Sequence, residues 1–337
     1  MSKPEFKKRE KLDVTLDSSF KERILKEGKT KIVSTYQDSS INYKNQVKIV
    51  TKDVLTANDG TKQDEIDLGI DKTLQTCYIF KFLEKNKIPT SFLRQINNYT
   101  FIAKNTTILP YECVIRRKAY GSMLKRHPEL KPGERFYIPH IEFFHKNAYI
   151  PPVGAHEDSS AIMPTSRLMP EERARKFYLK NGEWTVPVET DPLLLWNFGE
   201  WREKGADNNS IEGFKYDLYS AKKPTTPEDK LYTEKSSITV QQYLDIVDLM
   251  KTVFNLLESR WLDFGIEMID LKIEVGYDFD EGKLIVSDVI DNDSWRLWPN
   301  GDQSKQLDKQ AYRDGVSLDQ VSLNYKKVTD CTRHFLS

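Results

Sequence analysis

The chain has 337 residues, enough for one large domain or two ordinary ones. Its 51 lysines and arginines balance 51 aspartates and glutamates, so no overall field draws it to nucleic acid or to an anionic membrane. Apolar residues make up 38%, enough for a core, and no apolar run approaches the length of a membrane span.

Residues 1–20 are charged and read as a loosely held extension without the apolar centre of a signal peptide. RILKEGKTKIVSTY predicts a strand, a Glu-Gly turn and a second strand; QVKIVTK and YTFIAKN predict two more. Between these two, Ile70, Leu74, Cys77, Tyr78 and Phe82 recur at helical spacing, and Ile88-Pro89 ends that helix. ECVIRRKAYGS is a further strand that leaves through Gly121. Residues 21–110 thus form a β-rich N-terminal domain and 111–337 a C-terminal α+β domain. Within the latter, 151–235 is rich in proline and polar residues, an irregular insertion with short helices, one near MPEERARKFYL. Tyr243, Val247, Met250, Phe254, Leu257 and Trp261 then line one stripe of a helix that Gly265 stops. The absence of regular βαβ alternation makes the fold α+β. Cys77, Cys113 and Cys331 are few and widely spaced, as in a cytoplasmic protein with reduced thiols, and give no zinc pattern.

Four stretches carry candidate chemistry. EGKTK is no P-loop, because Arg23 stands where that pattern needs glycine; the Gly28 turn instead presents Lys29 and Lys31. They could hold nucleotide phosphates or form a solvated basic strand. ECVIRRKAYGSMLKR gathers Arg116, Arg117, Lys118, Lys125 and Arg126 around Gly121-Ser122. Paired guanidinium donors and an approachable backbone suit a phosphate ester, although a charged strand end accounts for them equally well. In DLKIEVGYDFDEGKLIVSDV, Ile269, Leu271, Ile273 and Val275 share one face of a strand, and Asp270, Lys272 and Glu274 the other. With a three-residue loop Asp280-Glu281-Gly282, Glu274 opposes Asp288. Opposed like charges destabilise a sheet unless a cation such as Mg²⁺ lies between them. A solvated polar hairpin is the simpler reading of this stretch alone. DNDSWRLW adds Asp293 and Arg296 among tryptophans.

Taken together and in order, GKTKIV, LTANDG, IPTSF, ECVIRRKAYGSMLKR, DLKIEVG, SDVIDNDSWRLW and LDKQAYR resemble the SAICAR synthetase family, over roughly residues 24–146 and 240–315. The resemblance implies a two-part α+β fold related to ATP-grasp and kinase-like enzymes. It also implies the reaction of ATP, CAIR (carboxyaminoimidazole ribonucleotide) and L-aspartate to ADP, phosphate and SAICAR. By position, it implies that Lys29 and Lys31 hold ATP phosphates and that Glu112 lies by the adenine pocket. Glu274 and Asp288 would bind Mg²⁺ as cofactor, and Lys272 would meet the CAIR carboxylate. Arg116, Ser122 and Arg296 would hold the ribonucleotide phosphate, and Asp59 and Asp293 lie in motifs around the substrate, Asp293 with a catalytic role. Lys146 and Asp191 match the family's lysine and aspartate-proline segments. The partners expected are these three substrates, with neither nucleic acid nor membrane; a homo-oligomer is compatible with the sequence.

The chain departs from the family in three places. Asp288-Val289 replaces Asp-Glu, Arg117 replaces an asparagine, and 151–235 is longer than in compact bacterial members. Two alternatives stand beside the ligase: a small-molecule kinase of the inositol phosphate kinase type, which shares a D-x-K motif, and a non-catalytic nucleotide-binding protein, motivated by Val289.

Overall fold

The computed structural model describes residues 22–38, 40–41, 45–57, 62–146, 148–150, 169–170, 174–175, 178–181, 183–185 and 188–337. Two antiparallel sheets organise them. The first has five strands, β1 (Ile24–Glu27), β2 (Lys31–Tyr36), β3 (Gln46–Thr51), β6 (Phe92–Asn97) and β7 (Thr100–Lys104), in the order β1-β2-β3-β7-β6. A hairpin of β4 (Val54–Ala57) and β5 (Lys62–Glu65) and the helix α1 (Gly69–Lys85) intervene. The apolar stripe of α1, including Cys77, Ile79, Phe80 and Leu83, is fully buried against this sheet, where Val47, Ile49 and Phe101 meet it.

The second sheet is built on the long strands β8 (Thr107–Lys118), β9 (Arg135–His145) and β18 (Ile266–Asp278). Between β8 and β9 lies the short helix α2 (Ser122–Arg126). After β9 come the short strands β10 (Ala148–Ile150), β11 (Met169–Pro170), β12 (Leu179–Lys180), β13 (Glu183–Trp184) and β14 (Glu189–Thr190). Then β15 (Leu193–Asn197), a helical turn α3 (Gly199–Glu203), β16 (Lys215–Tyr219) and β17 (Tyr232–Lys235) extend the large sheet outward from β9. The segment expected to be irregular therefore supplies three strands of the large sheet. Leu194, Tyr216 and Leu218 enter the main core from it, while surrounding prolines and charges mask the alternation. The helix expected near MPEERARKFYL lies largely outside the described residues.

On its other edge β18 has two neighbours in succession. β20 (Trp295–Pro299) pairs with Ile266–Leu271, and β19 (Lys283–Ser287) pairs with Glu274–Asp278. The loop from β19 to β20 therefore crosses the strand at the level of Lys272, whose backbone N–H donates to the Ser294 carbonyl at 2.7 Å. The two sheets are tied directly by a parallel bridge between Thr90 and Val286 and by a hydrogen bond from Ser91 N to Val286 O. One apolar core runs through both, and the expected domain boundary at residue 110 falls inside β8.

The register of the β18–β19 hairpin differs by one residue from the expectation. Asp278 pairs with Lys283 and Glu274 with Ser287, so the loop has four residues, Phe279–Gly282. The reason is local. Asp278 Oδ1 accepts from the Asp280 and Glu281 N–H groups at 3.0 and 3.2 Å, and Lys104 pairs with Asp278 from β7. This side-chain cap favours the longer loop, with Gly282 at φ +66° closing it.

α4 (Val240–Leu262) covers the core face of β18. Met250, Phe254, Leu257 and Trp261 are fully buried, and Tyr243 and Val247 lie half-buried at the edge of the stripe. Thr239 and Gln242 close a reciprocal capping box, and Gly265 at φ +66° ends the helical segment as expected. A short α5 (Gln310–Arg313) and the C-terminal α6 (Leu318–Arg333) complete the chain, α6 lying along α1. Among the described residues no helix is long and apolar enough to cross a membrane.

Replacing Thr239 by alanine removes one half of the capping box and should cost about 1 kcal/mol of stability, read as a lower urea midpoint at unchanged slope.

Candidate active site

The side of β18 that carries Asp270, Lys272 and Glu274 is a polar strip set inside a sheet. Asp270 and Glu274 are each only 5% exposed. The residue directly opposite Glu274 is Glu112 on β8, not Asp288. Two opposed carboxylates would repel; each instead has its own lysine. Lys272 reaches diagonally to Glu112 at 3.0 Å, and Lys146, at the end of β9, binds Glu274. Asp288 lies one residue beyond β19, and its φ of +59° turns the chain out of the strand. Lys31, the first residue of β2, binds it. The result is three carboxylates and three ammonium groups from β2, β8, β9, β18 and the loop after β19.

The charges set one another's titration. Lys272 is held well above its ordinary value, chiefly by Glu112. Burial raises the Glu112 carboxyl, but Lys272 outweighs it and the net shift is downward. Glu274 is raised, first by burial and then by Asp288; Asp288 is held low against its own burial by Lys31 and Lys146. Of the two, Glu274 holds a proton more readily.

The second constellation is a chain of buried ion pairs. Arg116 donates from Nε to Glu142 at 2.5 Å and from Nη1 to Asp270 at 2.7 Å. Arg296 binds the same Asp270, and Arg126 binds Glu142 and the Ala221 carbonyl. Gly121 has φ +64°, and a Cβ there would stand 2.7 Å from Arg296 Nη2, so the glycine is what lets Arg296 lie against the backbone just before Ser122. Arg296 also lies over the Tyr120 ring, and its buried Nε has no partner among the described residues. Arg116, Ser122 and Arg296 are therefore brought together. Arg117, grouped with them in the sequence, points to the opposite face, where it binds Glu258 of α4 through two nitrogens at 2.5 and 2.7 Å. Arg126 is likewise a buried tie rather than an open donor.

Asp293 forms a third group. Its Oδ2 accepts from Lys72 at 3.1 Å and Lys309 at 2.9 Å, and its Oδ1 from the Tyr325 hydroxyl at 2.6 Å. Burial raises this carboxyl, but Lys309 and Lys72 outweigh it and hold it far below the usual range. Neighbouring Asp291 is pushed up to about 6 by burial and by Asp293.

Lys29 is exposed in the β1–β2 turn, two residues before Lys31. Asp191, at φ +44°, lies in the turn before β15, and the carbonyl of Pro192 beside it accepts from His145 N, next to Lys146. Asp59 lies outside the described residues. Among the described residues no three histidine, cysteine or carboxylate side chains gather as a ready metal-ligand set.

The family model for SAICAR synthetase matches residues 24–158 and 214–331, which include β2, β8, β18 and the loop after β19. The chain belongs to the SAICAR synthetase family. A phosphoribosylaminoimidazole-succinocarboxamide synthase of Herpetosiphon aurantiacus is 30% identical over 318 residues, covering 92% of this chain and 97% of the relative. A bifunctional phosphoribosylaminoimidazole carboxylase/phosphoribosylaminoimidazole succinocarboxamide synthetase of Rattus norvegicus is also 30% identical, over 91% of this chain; the match spans only 57% of that longer protein. A solved SAICAR synthetase in complex with ADP has the same fold, with a TM-score of 0.60 at 21% identity, covering 92% of this chain and 97% of the other.

Within that family frame, sequence reasoning missed the groups that hold the site residues. Asp270 and Glu142 orient the arginines; Lys72, Lys309 and Tyr325 hold Asp293. Asp270 was legible as a member of the alternating strip, and Lys309 lies within LDKQAYR. Lys72 sits in a helix beside apolar positions and gives no signal.

Burial raises the Glu142 carboxyl, but Arg116 and Arg126 outweigh this and hold it at about 2. A carboxyl so depressed contributes stability that is present above its unfolded value and lost as pH falls toward its folded one. Glu142→Gln should therefore destabilise the protein by about 3–5 kcal/mol at neutral pH, because two buried guanidiniums lose their partner. The difference from wild type should shrink between about pH 4.5 and 2 in urea titrations. A pH-independent difference would place the loss in packing.

Proposed function

We propose that the chain is an ATP-dependent ligase that joins L-aspartate to the carboxylate of CAIR, forming SAICAR, ADP and phosphate. The observation that carries this reading is the placement of two chemically distinct clusters on one face of β18 in a chain of this family. One is the lysine–carboxylate lattice around Glu112, Glu274 and Asp288. The other is the arginine group at Gly121-Ser122. The first suits a nucleotide triphosphate and the second a ribonucleotide phosphate, with Lys272 and Asp270 two residues apart on the same strand between them. ADP in the related solved structure agrees with the nucleotide side.

A carboxylate is a poor acylating agent, and transfer of a phosphoryl group to it creates a leaving group that an amine can displace. Lys31 and Lys146 would neutralise phosphate charge, joined by Lys29, which is exposed in the β1–β2 turn. Lys272 would orient the CAIR carboxylate toward the transferred phosphoryl. Arg296, whose Nη2 lies against Gly121 and whose buried Nε has no partner among the described residues, would hold the ribonucleotide phosphate together with Ser122 and the buried Arg116. Asp59 and Asp293 would belong to the substrate side, and Asp191, in the turn before β15, and Lys146 to the amino-acid side.

Mg²⁺ fits the donor set. Glu274 and Asp288 offer two hard oxygen ligands; burial first, and the Asp288 charge second, raise the Glu274 carboxyl, and a cation would relieve the second. Bound there, the ion would screen the charge of the transferring phosphoryl. Val289 is partly buried against the core and adds no ligand.

ADP release should require ATP, CAIR and aspartate together, and full-rate release with either of the last two omitted rules the ligase out. Glu274→Gln and Asp288→Asn should each lower kcat on the order of 100-fold, about 2.7 kcal/mol, and shift the Mg²⁺ titration. An unchanged titration in both would remove the carboxylates from the metal. Arg296→Ala should weaken CAIR binding by about 1.5–3 kcal/mol and spare ATP; the reverse pattern would exchange the two phosphate sites.

A further inference from the structure

We propose that Lys72 is a positioning residue for Asp293: from inside α1 it fixes the carboxylate that faces the ribonucleotide, and its loss weakens that substrate's binding while sparing ATP. The inference rests on the reading above that Asp293 lies against substrate. The Lys72 side chain is 1% exposed, so it touches no ligand itself. Its Nζ donates to the Val54 carbonyl at 3.2 Å and to Asp293 Oδ2 at 3.1 Å.

Burying an ammonium costs several kcal/mol unless its partners are well placed. The cost is greater because Lys309 donates to the same Oδ2 at 2.9 Å, so two like charges share one oxygen. Both are satisfied only if that oxygen stays between them. Tyr325 from α6 fixes the other oxygen, and the Asp293 N–H donates to Asp291 Oδ1 at 2.8 Å. The carboxylate is thereby held in position and plane by groups from α1, from the turn before α5 and from α6. A lone pair on Oδ1 is left for a hydroxyl or amine donor of the substrate.

Placement in the loop gives this consequence for one substrate rather than the other. Asp293 stands three residues before Arg296 and five after Asp288. Lys72 therefore links α1, packed on the first sheet, to the half of the loop that leads to the ribonucleotide cluster. Without Lys72, Lys309 alone draws Oδ2, and the carboxylate swings outward toward it.

The test is Lys72→Met, with three readouts on the full chain. The variant should fold but melt below the wild-type temperature, because Asp293 loses one ammonium partner and the Val54 carbonyl its donor. Its crystal structure should show the Asp293 carboxylate displaced toward Lys309. Isothermal titration with CAIR and with ATP separately should show a Kd for CAIR raised on the order of tenfold and a Kd for ATP nearly unchanged. An unmoved Asp293, an unchanged Kd for CAIR, or equal losses for both ligands would each overturn the proposal. If wild type binds ATP but not CAIR, the ligase reading fails on its own, and the position of Asp293 in the variant still decides whether Lys72 holds it.

Discussion

A strand in the middle of a sheet that carries Asp270 and Glu274, both buried, on one face beside the partly exposed Lys272 cannot leave those carboxylates to water. Charges so enclosed must be paired or they unfold the sheet. Much of the site follows from how that pairing is met. Asp270 takes Arg116 and Arg296; Arg116 in turn needs Glu142, and Glu142 takes Arg126. Lys272 takes Glu112, and Glu274, facing Glu112 across the strands, takes Lys146. The compensating groups come from β8, β9, α2 and β20, so the polar strip recruits the neighbours that would surround a phosphorylated substrate.

The loop from Asp288 to Ser294 is the second constraint. It must pass between β19 and β20 at the level of Lys272, and Asp288 makes the exit with a positive φ. Non-glycine residues adopt that conformation rarely, aspartate more readily than most. The turn brings the Asp288 carboxylate to Lys31 of the first sheet, and Gln75 and Thr76 of α1 grip the backbone at Asn292 and Ile290. The two sheets thus meet at the loop as well as through the common core, and a shift of α1 would be felt at Asp288, Asp293 and Arg296 alike.

The period-two alternation of DLKIEV was legible, because one side of the strand is apolar and the other charged whatever its neighbours are. Its register was not. Loop length depended on Asp278 capping two N–H groups and on Lys104 from a distant strand, neither of which hairpin rules contain. The same limit hid the true partner of Glu274, since pairing with β8 is a long-range fact. Adjacent strand residues face opposite ways, and Arg117 accordingly binds Glu258 on the face opposite Arg116. Lys72 was beyond reach, because only the tertiary fold puts a carboxylate beside that turn of α1.

The lattice of Lys31, Lys146 and Lys272 with Asp288, Glu274 and Glu112 is formally neutral, and that has a consequence for the proposed reaction. ATP, CAIR and aspartate all bring negative charge, so a neutral lattice cannot receive them without rearranging its partners. A cation taken up by the carboxylates and phosphate oxygens taken up by the lysines satisfy both sides together, whereas either alone leaves buried charge uncompensated. In the proposed reaction, nucleotide and cation binding would then be coupled by the same desolvation that makes these groups pair with one another. The arginine chain differs. Its three guanidiniums face two carboxylates and keep one positive charge in excess, so on the proposed reading a ribonucleotide phosphate would bind there without breaking a pair. The proposed nucleotide side would exchange partners and the proposed ribonucleotide side would accept one.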